Sequence, residues 1–347
     1  MAAALRRLPV GALGACLLVG LIHVVVSGWV VPHPVARESL RRKVIALTEH
    51  DRPSLLIAGD SRAERTLMPE VIAAHVGMPP SSVVNIAFRS CDSSATLAAY
   101  REFSGRFATA PIMLISVSLF SVNDTANTHP YIRDEILWAI GLVDRMRLVS
   151  MKEAVKTSFL AERELLYQYL VGRPRVPCSD PVPERGFLGK TEVGCVNTTS
   201  EWFERTRSTV LVYPTPVIDG IRWRQLEADL QSLIQAGAQV VVLDAPEHPA
   251  FLQAIAGTAM GAATAAFHRQ LGDLCERMRV PILRYGPDWL GARDPDTLFW
   301  DALHLNCQGA AVFSEMVGPD LNALVQSGRL RRPQGAKIKI RNARAGR

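Results

Sequence analysis

The sequence predicts an α/β domain in which helices cover both faces of a parallel sheet of about five strands. Three observations carry this expectation. Short apolar runs recur along the chain, and they are continuous rather than alternating, as in strands buried on both faces. Amphipathic stretches of helical period separate them. At 347 residues, with 48% hydrophobic and 21% charged residues, the chain has the composition of a folded protein rather than a disordered or collagen-like one.

The first element stands outside the sheet. After Arg6 and Arg7, the stretch from Leu8 to Val31 contains no charged residue, with only Pro9 near its start and His23 inside. About 20 apolar residues cross the hydrocarbon core of a bilayer, and Trp29 stands where the far interface would fall. The run exceeds the usual apolar region of a signal peptide and no small-x-small cleavage site follows it, so residues 8–31 read as an uncleaved signal anchor. Leu13-Gly14-Ala15-Cys16 imitates a lipoprotein cleavage box, but its apolar lead is short and the greasy run continues past it. Arg41, Arg42 and Lys43 oppose Arg6 and Arg7 in the positive-inside count, so charge alone leaves the orientation open.

The alternating region begins at Ser54, where Ser54 to Ala58 forms a first strand ending at Gly59. A helix follows from Pro69, a residue suited to the first helical position, through Val71 to His75. Val83 to Phe88 is the second strand, and a helical stretch runs from about Ser94 to Phe107. Pro111 to Ser118 is the third strand. Gln239 to Leu243 and Val280 to Leu283 are the fourth and fifth, preceded by helices over about Ile221–Gln235 and Ala262–Met278. A last helix spans about Ala310 to Val325. Residues 119–214 break this rhythm and read as an insertion, helical over Tyr131–Val171 and then irregular through Trp202. The expected organisation is an anchor and linker over 1–43, one domain over 44–328, and a basic tail over 329–347.

Net charge needs the same division. The total is +6, of which residues 1–43 carry +5 and residues 329–347 carry +8, leaving −7 for residues 44–328. The body is acidic, which argues against a nucleic-acid-binding face built on the fold itself. The tail reads as a solvated extension, with contact to an anionic surface as the alternative. Among the six cysteines, Cys178 and Cys195 flank a Pro/Gly-rich loop. A disulfide there would suit an oxidising compartment; two free thiols are the alternative.

Parallel α/β sheets place their sites at the carboxyl ends of the strands. Gly59-Asp60-Ser61-Arg62 follows the first strand directly, where a serine at a strand-to-helix turn projects its hydroxyl at that edge. Near the other end, Asp301-Ala302-Leu303-His304 precedes the last helix. Three-residue spacing lets the carboxylate reach the imidazole, fix its tautomer and leave its other nitrogen free for a serine proton. Asp244 to His248 end the fourth strand on the same edge and read as a turn with solvated charges, the alternative being a pocket lining. Trp289, Phe299 and Trp300 read as core, with one of them a possible pocket wall. Arg62 and Arg89 flank the serine region and are candidates to hold an anionic substrate, against structural or solvated roles. No zinc-ligand spacing and no phosphate-cradling Gly-x-x-x-x-Gly-Lys loop occurs, so neither metal nor cofactor is expected.

A Gly-Asp-Ser turn after the first strand and a late Asp-x-x-His together resemble the SGNH/GDSL hydrolase superfamily, loosely over residues 52–326. The resemblance implies a flavodoxin-like three-layer sheet. It also implies that Ser61 is the nucleophile, His304 the general base and acid, and Asp301 its orienting partner. Ser90 stands where that family has a glycine whose backbone N–H serves the oxyanion hole. Ser121-Val122-Asn123-Asp124 is similar to the family's Gly-x-Asn-Asp but falls several residues late, so Asn123 is either an oxyanion donor or a loop-capping residue.

An amino-terminal anchor joined to such a domain resembles the acyl-transfer proteins of envelope polymers, including those similar to alginate O-acetyltransferases and the D-alanyl-transfer protein of teichoic acid. That resemblance implies an acyl donor, a glycan acceptor and a multi-pass membrane acyltransferase as partners, and an inner-membrane protein with its domain in the periplasm or another extracytoplasmic space. Three readings follow: an anchored O-acyltransferase, an anchored esterase, and a non-catalytic envelope-assembly protein.

Overall fold

Five strands lie side by side in one parallel sheet, in the order β2-β1-β3-β4-β5. The computed structural model describes residues 52–87, 93–103, 107–125 and 216–333, all within one of the chain's two compact units. The strands are β1 (Leu55–Gly59), β2 (Val83–Asn85), β3 (Ile112–Ser116), β4 (Gln239–Asp244) and β5 (Ile282–Arg284). Leu55 pairs with Val83 on one side and Ile112 on the other, Ile112 pairs with Gln239, and Val242 pairs with Ile282. Every residue of β1, β2 and β3 is buried, which accounts for their unbroken apolar sequences. Each buried Leu, Ile or Val contributes about 1.5–3 kcal/mol by leaving water. β5 is the exposed edge and ends in Arg284, a charge that discourages further strand addition.

The helices, numbered along the described residues, are α1 (Ser61–Thr66), α2 (Pro69–Val76), α3 (Ser93–Phe103), α4 (Leu119–Val122), α5 (Ile221–Gln235), α6 (Pro249–Ile255), α7 (Ala259–Met278) and α8 (Cys307–Gln326). One group packs α8 on α1 and α2, and another packs α5 on α3 and α4. With β1 wholly buried between its neighbours, this is the layered α/β arrangement that the sequence predicts. The strand order is that of doubly wound flavodoxin-type sheets, whose reversal of winding falls between β1 and β3.

Boundaries shift for local reasons. β2 stops at Asn85 because the Asn85 side chain takes the Ala87 N–H, turning the chain out of the sheet. β5 begins after Pro281, which has no N–H to donate to a ladder. α7 begins earlier than the pattern suggests because the Thr258 hydroxyl accepts from Gly261 N–H, and α8 because Asn306 Oδ1 accepts from Gly309 N–H. The body also extends past residue 328: Leu330 is buried, and the Arg331 backbone exchanges hydrogen bonds with the Gln239 side chain. The anchor 8–31, the helical insertion Tyr131–Val171, the Cys178–Cys195 loop and the tail beyond 333 lie outside the described residues. Among the described residues no single helix is long and apolar enough to cross a membrane.

Candidate active site

Gly59 ends β1 with φ +130°, and a Cβ there would lie 2.4 Å from the Ser116 carbonyl of β3. Glycine therefore lets the two central strands close up and lets the chain turn sharply at the sheet edge. Asp60 caps the helix that follows, its Oδ1 accepting from Arg62 N–H at 2.9 Å. Ser61 is the first residue of α1. Below it, Asn85 Nδ2 donates to the Ala63 and Leu67 carbonyls at 3.0 and 3.3 Å, pinning α1 to the end of β2.

The histidine arrives from a tight turn. Phe299 and Leu305 form an antiparallel bridge, and Trp300 N–H donates to the His304 carbonyl at 2.8 Å. Both bridge residues are buried, so the polar turn between them is anchored from below. Asp301 Oδ1 accepts from Leu303 N–H and His304 N–H, each at 2.8 Å.

These two turns, 243 residues apart in sequence, meet at the sheet edge. Ser61 Oγ lies 2.8 Å from His304 Nε2, and His304 Nδ1 lies 2.9 and 2.8 Å from the two Asp301 oxygens. Asp301 accepts only, so Nδ1 carries the proton and Nε2 presents its lone pair to the serine hydroxyl. Burial opposes ionisation of Asp301, but the facing His304 and the two backbone N–H groups outweigh it and hold the carboxyl down at about 2. Chemically, a hydroxyl, an imidazole and a carboxylate linked in this order are able to activate the hydroxyl as a nucleophile.

Trp300 is not simply core. Its ring lies 6.2 Å from that of His304, and the Arg65 guanidinium of α1 sits 4.9 Å above it. Trp289 and Phe299 are buried, as the sequence suggested.

Asn123 caps the end of α4 and is fully buried. Thr125 N–H, Thr125 Oγ and Val217 N–H all donate to its Oδ1, which dictates the amide orientation. Its Nδ2 is buried with no hydrogen-bond partner among the described residues. One end of this side chain organises a loop while the other is a spare donor. Asp124 alongside caps α5 by accepting from Ile221 and Arg222 N–H, an approach that only glycine at 220 allows, since a Cβ there would lie 1.7 Å from Asp124 Oδ2. Ser90 and Arg89 lie outside the described residues.

Two expectations change. Arg62 is not an open anion-holding side chain: it is buried, and its guanidinium donates to the Ala245 and Pro246 carbonyls and to Glu247. Nor are the charges after β4 solvated. Asp244, Glu247 and His248 are all buried. Burial pushes His248 below the usual imidazole range, against the opposing pull of Asp296. Its Nδ1 accepts from Ala250 N–H while Nε2 donates to Asp296, so it is a neutral ring used as a helix cap.

Sequence reasoning missed two braces. Ser118 Oγ donates to Asp60 Oδ2, tying the Ser61 turn to the turn that leads to Asn123. The loop after β4 touches both halves of the triad region, through Arg62 on one side and through His248 N–H to the Ala302 carbonyl at 3.0 Å on the other. A charged Arg beside the serine was the available signal, but it does not name its partner.

Among the described residues no group of three or more His, Cys, Asp or Glu side chains is placed to hold a metal ion. No protein-family model matches this chain, and no curated protein matches it significantly.

Proposed function

We propose that this protein is a serine acyl-ester enzyme of the SGNH type, anchored by residues 8–31 with its domain outside the cytoplasm, that transfers an acyl group to a cell-envelope or exported polysaccharide. The observation that carries the catalytic part is the continuous hydrogen-bond chain Ser61–His304–Asp301 at the carboxyl edge of the sheet. Ser61 Oγ attacks the acyl carbonyl of the donor while His304 Nε2 takes the hydroxyl proton. The tetrahedral adduct collapses to acyl-Ser61, and His304 returns the proton to the departing donor oxygen. An acceptor hydroxyl then gives its proton to His304, attacks the acyl carbon and frees Ser61, which regains its proton. Asn123 Nδ2 is the side-chain donor assigned to the developing oxyanion, with the Ser90 backbone N–H as the second candidate. Losing one such donor typically costs about 10²–10³ in turnover.

The membrane placement, the glycan acceptor and cooperation with a multi-pass membrane acyltransferase rest on the sequence of the amino end and on the family resemblance. Arg62 plays no part in binding substrate in this reading. The test is to give the purified full chain p-nitrophenyl acetate with and without candidate glycans. Acyl transfer to glycan that depends on Ser61 supports the transferase. Brisk hydrolysis with no transfer makes the protein an esterase of the same mechanism, and no turnover with any donor contradicts both.

A further inference from the structure

A cavity of about 680 Å³ opens at the same sheet edge, between the ends of β4 and β5 and helices α6 and α7. β3 separates β4 from β1, so this cavity starts roughly 10 Å from the nucleophile strand by strand spacing. Its volume is that of a small-molecule site. None of Ser61, Asp301 and His304 lines it.

The walls are apolar and small: Leu252, Ile255 and Ala256 on one side, Ala262 and Ala265 on the other. Ala262 and Ala265 are exposed and form part of an open rim. The inner end is polar. Asp244 Oδ2 accepts from His268 Nδ1 at 2.7 Å and from Arg284 Nε at 2.8 Å. The other ring nitrogen, Nε2, lies 3.9 Å from Glu247 Oε2, too far for a direct hydrogen bond. Asp244 Oδ1 and Thr264 Oγ1 are buried and have no partner among the described residues. Asp244 and Glu247 are matched in formal charge by Arg284 and by Arg62 behind the loop. Burial raises the Glu247 carboxyl above its ordinary range, with Arg62 and His268 pulling the other way.

With each carboxylate already paired to an arginine, the inner end offers no unpaired full charge to an ionic head, while Asp244 Oδ1 and Thr264 Oγ1 have no partner among the described residues. Hydroxyl groups, which donate and accept at once, match it. We infer that the cavity is a binding site for a neutral polyol carried on a short apolar body, with the hydroxyls against Glu247, His268 and Thr264 and the carbon body against the α6 and α7 walls. This inference does not depend on the chemistry assigned to Ser61.

The test is saturation-transfer NMR on the full chain in phosphatidylcholine nanodiscs, with 1,2-hexanediol, hexanoate and hexylammonium as probes of equal length. The expected result is saturation transfer to the diol and not to either ion. Ala265→Trp, which fills the open rim, abolishes it, and Thr264→Val, which keeps the shape and removes one hydroxyl, weakens binding about two- to tenfold. Both variants and the wild type acylate Ser61 alike, and Ser61→Ala binds the diol as wild type does. Transfer to an ion in preference to the diol, or a diol signal that survives Ala265→Trp, overturns the inference without touching the Ser61 reading.

Discussion

Asp301 serves two purposes at once, receiving the Nδ1–H of His304 and the two backbone N–H groups that shape its own turn. Asp301→Asn keeps the size of the side chain but lets the ring take the wrong tautomer, so turnover is expected to fall by about 10⁴ in steady-state kinetics. The same residue sets a stability window. Its folded carboxyl is depressed to about 2 against ~3.9 when unfolded, so it stabilises the fold above about pH 4 and loses that contribution as the pH falls towards 2. Urea titrations should show a gap between wild type and Asp301→Asn that narrows as the pH falls below about 4. At this scale Ser61, Asp301 and His304 were legible, because local spacing and position after a strand are sequence properties. Arg62 was not. Its guanidinium spends itself on carbonyls 183 and 184 residues away, and nothing local announces such a partner.

Among elements, the shortest ones position the chemistry. α1 has only six residues and shows no readable period, yet it is held by the Asp60 cap, by Asn85 from β2 and by its own Arg62, which reaches the carbonyls of the β4 loop. Asp60→Ala removes both the cap and the acceptor for Ser118. The expected loss is about 1–2 kcal/mol, with kcat falling while KM holds, because the groups it holds in place act in the transition state. Asp60→Asn, which keeps a cap, should recover most of the stability. Arg62→Met leaves Glu247 buried without its cation and two carbonyls without a donor. We expect it to cost ~2–4 kcal/mol by urea denaturation. The long helices and central strands were legible because length and continuous burial leave a period or an apolar run. α1, α4 and α6 were missed because four to seven residues leave neither.

For the whole molecule, the five apolar runs and their helical crossovers make a parallel sheet legible, whereas the strand order β2-β1-β3-β4-β5 and the pairing of distant side chains are not properties of any local stretch. Dividing the +6 charge between two basic ends and a body of −7 removes the case for nucleic acid. The proposed anchor over residues 8–31 makes a separate prediction about which side of the membrane the body occupies. On that proposal a carboxyl-terminal alkaline phosphatase fusion should be active in intact cells, and a green fluorescent protein fusion exported by the same route should be dark. The central claim is that two turns 243 residues apart make one nucleophile. Intact-protein mass spectrometry after brief exposure to an activated acetyl ester tests it most directly. The account predicts a single acetyl adduct that maps to Ser61, accumulates when no acceptor is present and is lost in both Ser61→Ala and His304→Ala. An adduct on another residue, or none with any of several activated acyl donors, would contradict it.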